Sequence, residues 1–342
     1  MPALAIAAAL RDSGAHVEFL GGERAEAELV PAAGYPFHAL RVAGLDRRNP
    51  LKAARALLWS GRAVARARRA LRAMRAEVVL GGGGYVAAPA GLAARSLRLP
   101  LALTEADSQL GITNRLLAPV AQRVFLAFDI PEHRGGKFVV TGRPIPAELL
   151  AADRTAARAR FGIDDDRECL LVFGGSLGAR RLNDAAVDAF GRGAPCWVLH
   201  ACGQRDHAQL ARRLDELGNP EHYKLHAYIE PFADAYAAAD LAVARAGGSV
   251  FELAAAGLPS VLVPFPHAAA DHQAKNARWM ERAGAAVVVP DDAVDGPRMA
   301  REVAALLGSP ERLHAMRRAA REIARPDAAE RIAHELLMLV RK

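Results

Sequence analysis

Between Ala244 and Asn276 the chain places a carboxylate, Glu252, and an amide cluster, His272-Gln273 with Asn276, each shortly after a turn that lacks bulk. The first turn, Arg245-Ala246-Gly247-Gly248-Ser249, lets a ligand approach the backbone closely, and Pro266-His267 opens the second. An acid beside groups that both donate and accept hydrogen bonds suits a hydroxyl-rich ligand. A second candidate site is Gly174-Gly175-Ser176-Leu177-Gly178-Ala179, between an apolar run and a helical one. There the free N–H groups of a helix start and the Ser176 hydroxyl are placed to hold a phosphate or diphosphate. The third is Gly81-Gly82-Gly83-Gly84-Tyr85. Its glycines let several backbone N–H groups face one ligand, and Tyr85 adds a ring or a hydroxyl; as structure alone the same run is a flexible turn.

Other chemistries find less support. The Ser176 loop lacks the Lys-Ser/Thr ending of a nucleotide P-loop, and its glycines do not space as a dinucleotide fingerprint. It contains a G-x-S-x-G match, but no Asp and His follow in the order a serine nucleophile needs. No paired-His metal motif occurs, and Asp164-Asp165-Asp166 reads as a hydrated turn, so no metal and no cofactor are expected at the site. Three cysteines, Cys169, Cys196 and Cys202, are too few for a disulfide framework and point to a reducing cytosol.

The elements that must position these groups alternate. Strands are predicted near residues 16–20, 37–42, 78–80, 101–104, 124–127 and 138–141, then at 169–173, 197–200, 224–228, 241–244 and 259–264, with helices between them. That alternation predicts an α/β chain of two doubly wound domains. Both would carry ligand contacts at strand ends. Gly142-Arg143-Pro144-Ile145-Pro146 has the two prolines of a linker. The 342 residues and a hydrophobic fraction of 52% suffice for two cores. A helix over Pro2–Asp12 precedes any strand, whereas such sheets normally begin with a strand, so an element before Met1 is expected. No signal peptide or membrane-spanning segment is predicted.

The net charge of +7 is concentrated. Arg47, Arg48, Lys52, Arg55, Arg62, Arg66, Arg68, Arg69, Arg72 and Arg75 are ten cations with no acid among them, and removing them from +7 leaves the remainder near −3. Asn49-Pro50 starts a helix here, whose core-facing stripe is Leu57, Val64, Ala67, Leu71 and Met74. Leu51, Leu58 and Trp59 fall on another side with Arg55, Arg62, Arg66 and Arg69, an arrangement suited to an anionic membrane surface. A solvated helix face is the plainer alternative. Nucleic acid is disfavoured, because few aromatic residues accompany the arginines.

Taken in order, GGGGYVAAPAGLAA, the Gly174–Ala179 loop, RAGGSVFELAAAGLPSVLVPFP and DHQAKN resemble the bacterial MurG family over nearly the whole chain. The resemblance implies a GT-B fold, two Rossmann-like domains facing a cleft. Residues 1–142 would bind acceptor and membrane, 143–326 would bind a UDP-sugar, and a helix in 327–342 would return to the first domain. It implies an inverting transfer of N-acetylglucosamine from UDP-N-acetylglucosamine to lipid-linked N-acetylmuramyl-pentapeptide at the cytoplasmic face of the membrane. Donor contacts would come from Gly175, Ser176, Gly178, Ile229 at the uracil, Arg245, Gly247, Gly248, Glu252 at the ribose, His272, Gln273 and Asn276. Gly83, Gly84 and Tyr85 would face the acceptor.

The chain also departs from the family pattern. The opening strand and the GGTxGH loop with its His are absent, HEQN reads Thr104-Glu105-Ala106-Asp107, and the linker NPxR reads Arg143-Pro144-Ile145-Pro146. Glu105 and Asp107 are the candidate catalytic carboxylates. A truncated, non-catalytic UDP-sugar or lipid-binding relative, and a transferase with a different acceptor, are the other readings.

Overall fold

The computed structural model describes residues 2–23, 25–40, 50–175, 178–268 and 271–340, with the backbone alone at 50–60 and 85. The chain forms two compact units, Met1–Ile145 with Pro326–Lys342, and Pro146–Arg325.

In chain order the first unit holds α1 (Pro2–Asp12), β1 (Phe19–Gly21), α2 (Glu26–Ala32), β2 (Phe37–Ala39), α3 (Pro50–Ala73), β3 (Val79–Gly81), α4 (Gly84–Ser96), β4 (Leu101–Glu105), α5 (Ile112–Leu117), β5 (Arg123–Leu126) and β6 (Phe138–Val140). The strands β3-β4-β5-β6 form one parallel sheet, and β1-β2 form a separate parallel pair. Side chains alternate across the larger sheet as a period of two demands. Leu101, Leu103, Val124 and Leu126 pack on one face with Ala67 and Leu71 of α3 and Ala93 and Ala94 of α4. Ala102 and Phe125 pack on the other with Ile6 of α1. Val64 and Met74 border the first cluster, so the helical stripe read from the sequence lies against the core wherever its side chains are described. Arg62, Arg66, Arg69 and Arg72 are exposed on the same helix.

The second unit continues with α6 (Glu148–Ala151), α7 (Arg154–Phe161), β7 (Cys169–Phe173), α8 (Arg180–Phe190), β8 (Trp197–Ala201), α9 (Gln204–Glu216), β9 (Tyr223–His226), α10 (Ala233–Ala238), β10 (Leu241–Ala244), α11 (Ser249–Ala255), β11 (Ser260–Leu262), α12 (His272–Arg282), β12 (Ala286–Val288), α13 (Gly296–Leu307) and α14 (Pro310–Ile323). Its six strands are parallel in the order β12-β11-β10-β7-β8-β9. Helices cover both faces, so β7, β8 and β10 are buried along their whole length; β7 and β10 read as unbroken apolar runs, and β8 is interrupted only by His200. β12, a short strand at the sheet edge, was not among the predicted strands, although Val287-Val288-Val289 between Gly284 and Pro290 carries its signal.

Asp240 ties the opening of this sheet to its helices. Its carboxylate accepts the Cys169 N–H at 3.0 Å and pairs with Arg154 at 3.0 Å, Arg317 at 2.8 Å and the buried Arg158 at 3.4 Å. Burial works to raise this carboxyl's pKa, and the Arg154 hydrogen bond with the other cations overrides it, so the group lies below its ordinary value.

The last helix, α15 (Ala328–Val340), packs with the first unit. Ile332 and Leu336 join Ile6 and Phe125, and Glu335 pairs with Arg123 at 2.8 Å.

Candidate functional site

In the second unit the chain leaves β7 toward β8 on one side, and β10 lies on the other. This reversal is where ligands sit in an open α/β sheet, at the carboxyl ends of the strands. Phe173 is level with Ala244 of β10 and with Ala201 of β8. The turns that begin at Gly174, Arg245 and Cys202 therefore adjoin.

The Gly174 turn is shaped by close approach. Gly178 has φ +74°, and a Cβ there would collide with the Cys202 carbonyl oxygen. Asn183, buried in the first turns of α8, donates from Nδ2 to that carbonyl at 2.8 Å and to the Asp206 carboxylate at 3.0 Å. Its Oδ1 therefore faces His200 at 3.1 Å and takes the Nε2 proton, while the other ring nitrogen of His200 accepts from the Tyr223 hydroxyl at 2.8 Å. Burial lowers the His200 pKa to about 3, so the ring is neutral. The hydrogen bond from Arg205 leads the causes that hold the Asp206 carboxyl below its ordinary value. Gly175 is exposed at φ +88°, and α8 begins at Arg180, so the turn and the helix start lie together. Ser176 lies outside the described residues.

The β10–α11 turn is braced from two sides. The Arg245 guanidinium donates to the Val263 carbonyl at 3.1 Å and pairs with Asp291 at 2.6 Å. Asn276 donates from Nδ2 to the carbonyls of Ala246 at 3.0 Å and Gly247 at 3.4 Å. The Phe265 N–H donates to Gln273 Oε1 at 2.9 Å, which ties the second loop to α12. The expected direct ligand contact of Arg245 is thus revised: this side chain is buried and engaged with the segments that follow β11 and β12. It shapes the turn formed by the half-buried Gly247 and Gly248. His272 is half-buried in the first turn of α12.

Glu252 lies one turn into α11 and is half-buried. Its Oε2 accepts the Tyr236 hydroxyl at 2.8 Å, and its Oε1 has no partner among the described residues. Ile229, past the end of β9, is buried. One carboxylate oxygen open beside a turn, with N–H groups at a helix start nearby in the sheet order, is able to take a diol and an anion together.

Sequence spacing did not single out Asn183, His200, Tyr236 or Asp291. His200 and Asn183 had a signal, a polar residue inside an apolar strand and one on the apolar face of a helix. Tyr236 and Asp291 had none, since they meet their partners only through folding. The three cysteines are free and buried, and burial pushes the thiols of Cys169 and Cys196 up to about 12 and that of Cys202 to about 11.

In the first unit the four-glycine run is shorter as a loop than expected, because Gly81 ends β3 and Gly84 already opens α4. Gly83 and Gly84 have φ of +80° and +68°, which a side chain would strain. The Tyr85 side chain is outside the described residues. Glu105, at the end of β4, is buried. Its oxygens accept from the N–H groups of Asp107 at 3.1 Å and Gly111 at 2.7 Å and from Asn114 Nδ2 at 2.9 Å. Of the two candidate catalytic carboxylates, Glu105 is therefore reassigned to holding this loop. Asp107 is exposed, and its carboxylate has no partner among the described residues. Asn114 was not foreseen. Its Oδ1 is buried without a hydrogen bond among the described residues, and its amide borders Gly83.

On α3 the described arginines Arg62, Arg66 and Arg69 are exposed, whereas the side chains of Leu51, Arg55, Leu58 and Trp59 lie outside the described residues. No helix among the described residues is long and apolar enough to cross a membrane.

Comparison with known proteins agrees with this arrangement. Residues 1–126 match the glycosyltransferase family 28 N-terminal domain, and residues 169–332 match the C-terminal domain of the same family. A UDP-N-acetylglucosamine--N-acetylmuramyl-(pentapeptide) pyrophosphoryl-undecaprenol N-acetylglucosamine transferase of Moorella thermoacetica is 41% identical, over 99% of this chain and 95% of the relative. The protein of the same description from Methylococcus capsulatus is 42% identical over 97% and 93%. The chain belongs to the MurG family. The solved MurG of Acinetobacter baumannii superposes with a TM-score of 0.78 at 29% identity, covering 98% of this chain and 95% of that one. A UDP-GlcNAc 2-epimerase from Neisseria meningitidis bound to UDP-GlcNAc gives a TM-score of 0.71 at 13% identity, a likeness of fold alone. With its MurG relatives, the chain has the GT-B fold of two parallel-sheet α/β domains.

Proposed function

We propose that this chain transfers N-acetylglucosamine from UDP-N-acetylglucosamine to lipid-linked N-acetylmuramyl-pentapeptide, a step of peptidoglycan synthesis. The observation that carries this reading is the 41% identity, over nearly the full length of both chains, to a relative described by that reaction. The site supports it. Glu252 offers an open carboxylate oxygen for the ribose diol, Ile229 closes the base side, and Gln273 and His272 stand at the second loop for the sugar.

In an inverting displacement the muramyl 4-hydroxyl attacks the anomeric carbon, its proton passes to a base, and UDP leaves. Negative charge grows on the diphosphate during the step. The N–H groups at the Gly174–Ala179 turn and the start of α8 then stabilise the transition state more than the ground state. Of the two candidate carboxylates, the exposed Asp107 is our candidate for the base that takes the proton. Gly83, Gly84 and Tyr85 line the acceptor side in this reading, and Arg62, Arg66 and Arg69 rest on anionic lipid, where a lipid-held acceptor is found.

Transfer of labelled sugar to a lipid-linked muramyl acceptor tests the proposal. Glu252→Ala is expected to raise the KM for the nucleotide sugar about tenfold or more, as loss of a charged hydrogen-bond acceptor does. Asp107→Asn is expected to lower kcat about 100-fold with little change in that KM. Absence of transfer by the unaltered chain, or equal effects of both variants on both constants, would refute the assignment.

A further inference from the structure

We propose that Tyr236 is a positioning residue for the donor nucleotide: its hydroxyl fixes the plane of the Glu252 carboxylate so that the remaining lone pairs face the ribose hydroxyls. This rests on the donor-site reading above and adds to it a residue from a different helix.

The geometry is specific. Tyr236 lies on α10, and its hydroxyl donates to Glu252 Oε2 at 2.8 Å across to α11. The ring is 4% exposed and meets Phe173 edge-on at 5.8 Å and Phe232 at 5.0 Å between centroids. Phe173 also meets Phe232 at 5.1 Å, so three aromatic rings contact one another. Such a ring has no rotational freedom to spare, and its hydroxyl is a rigid donor.

A glutamate on a helix otherwise has a broad terminal torsion, and its carboxylate would sample several planes. One hydrogen bond from a fixed donor selects one plane and leaves the other oxygen open. Two adjacent hydroxyls need both oxygens, or one oxygen twice, in a defined orientation, so selecting the plane removes an ordering cost from binding. Burial, and after it the nearby Glu252 carboxylate, hold the Tyr236 phenol well above its ordinary pKa, so it remains a donor throughout the working range.

Phe173 gives the cluster a second connection. It is the last residue of β7, and the next residue, Gly174, starts the diphosphate turn. The same packed rings therefore border the element holding the diphosphate and carry the donor that sets the ribose carboxylate.

The test uses the full chain with Tyr236→Phe, which keeps the ring and removes only the donor. UDP binding is measured by calorimetry for the unaltered chain, Tyr236→Phe, Glu252→Ala and the double variant, and repeated with 2′,3′-dideoxyuridine diphosphate. Tyr236→Phe is expected to weaken UDP about tenfold, the usual scale for a hydrogen bond to a charged group. It should leave the dideoxy probe unchanged and add nothing to Glu252→Ala. In the transfer assay it should raise the nucleotide-sugar KM by the same factor while kcat changes less than about twofold. Unaltered UDP binding by Tyr236→Phe, with a loss in Glu252→Ala, overturns the positioning role and leaves the donor site standing. Equal weakening of both probes makes Tyr236 structural only and also overturns it. Unaltered UDP binding by Glu252→Ala overturns both.

Discussion

At Gly178 two constraints act on one residue. Its φ of +74° strains any side chain, and a Cβ would meet the Cys202 carbonyl, which Asn183 holds in place. Gly178→Ala must therefore shift the turn or break that hydrogen bond. A loss of about 1–3 kcal/mol is expected in urea unfolding, with kcat/KM for the nucleotide sugar falling about 10- to 100-fold as the proposed diphosphate turn is displaced. Wild-type activity in this variant would show that the turn does not need its present path. Among the candidate site residues, Glu252 and the glycines stand out in the sequence because their type alone, an acid after a bulk-free turn, marks them. Arg245 and Glu105 were legible as residues, and their partners were not. A charged side chain in a strand-end loop looks available in one dimension, and only the folded chain shows that Asp291 and the 107–114 loop already engage them.

The elements of the second unit depend on a buried polar chain running from α8 through β8 to β9. His200 is central to it and neutral, with burial lowering its pKa to about 3 from the ordinary 6.5. The folded state therefore refuses a proton that the unfolded chain accepts below pH 6.5. The unfolded state binds more protons between these values, so stability rises with pH across that window and is lost as pH falls. From pH 7 to pH 5 this single group should cost about 2 kcal/mol. His200→Asn removes the titration, and its urea midpoint should fall less than that of the unaltered chain over the same two pH values. Parallel curves would remove His200 from the explanation. The central strands β7 and β10 were readable to the residue, since parallel strands buried on both faces are unbroken apolar runs bounded by turn residues. The edge strands were less so: β12 was passed over despite its Val287–Val289 run, and β9 begins and ends earlier than its apolar pattern indicates, because pairing with β8 sets its limits.

For the molecule as a whole, charge is the property that sequence order concentrates. If α3 rests on a membrane surface, vesicles containing anionic lipid should sediment the protein, and raised salt should release it. Replacing Arg62, Arg66 and Arg69 by Glu should weaken this by about a hundredfold or more, at roughly 1 kcal/mol for each cation near the surface. Retention on the vesicles despite these changes would place the contact elsewhere. Family, fold class and the division near Gly142–Pro146 were determined by the sequence itself, because each depends on local pattern: alternation of strand and helix, prolines between the two alternations, and residue types in a given order. What only the tertiary structure decided are the partnerships. Strand order brings the Gly174 and Arg245 turns together at the reversal between β7 and β10, and α10 delivers a tyrosine to the carboxylate of α11. Neither can be read from spacing, because hydrogen bonds between elements depend on how sheet and helices pack, and packing is a property of the whole chain.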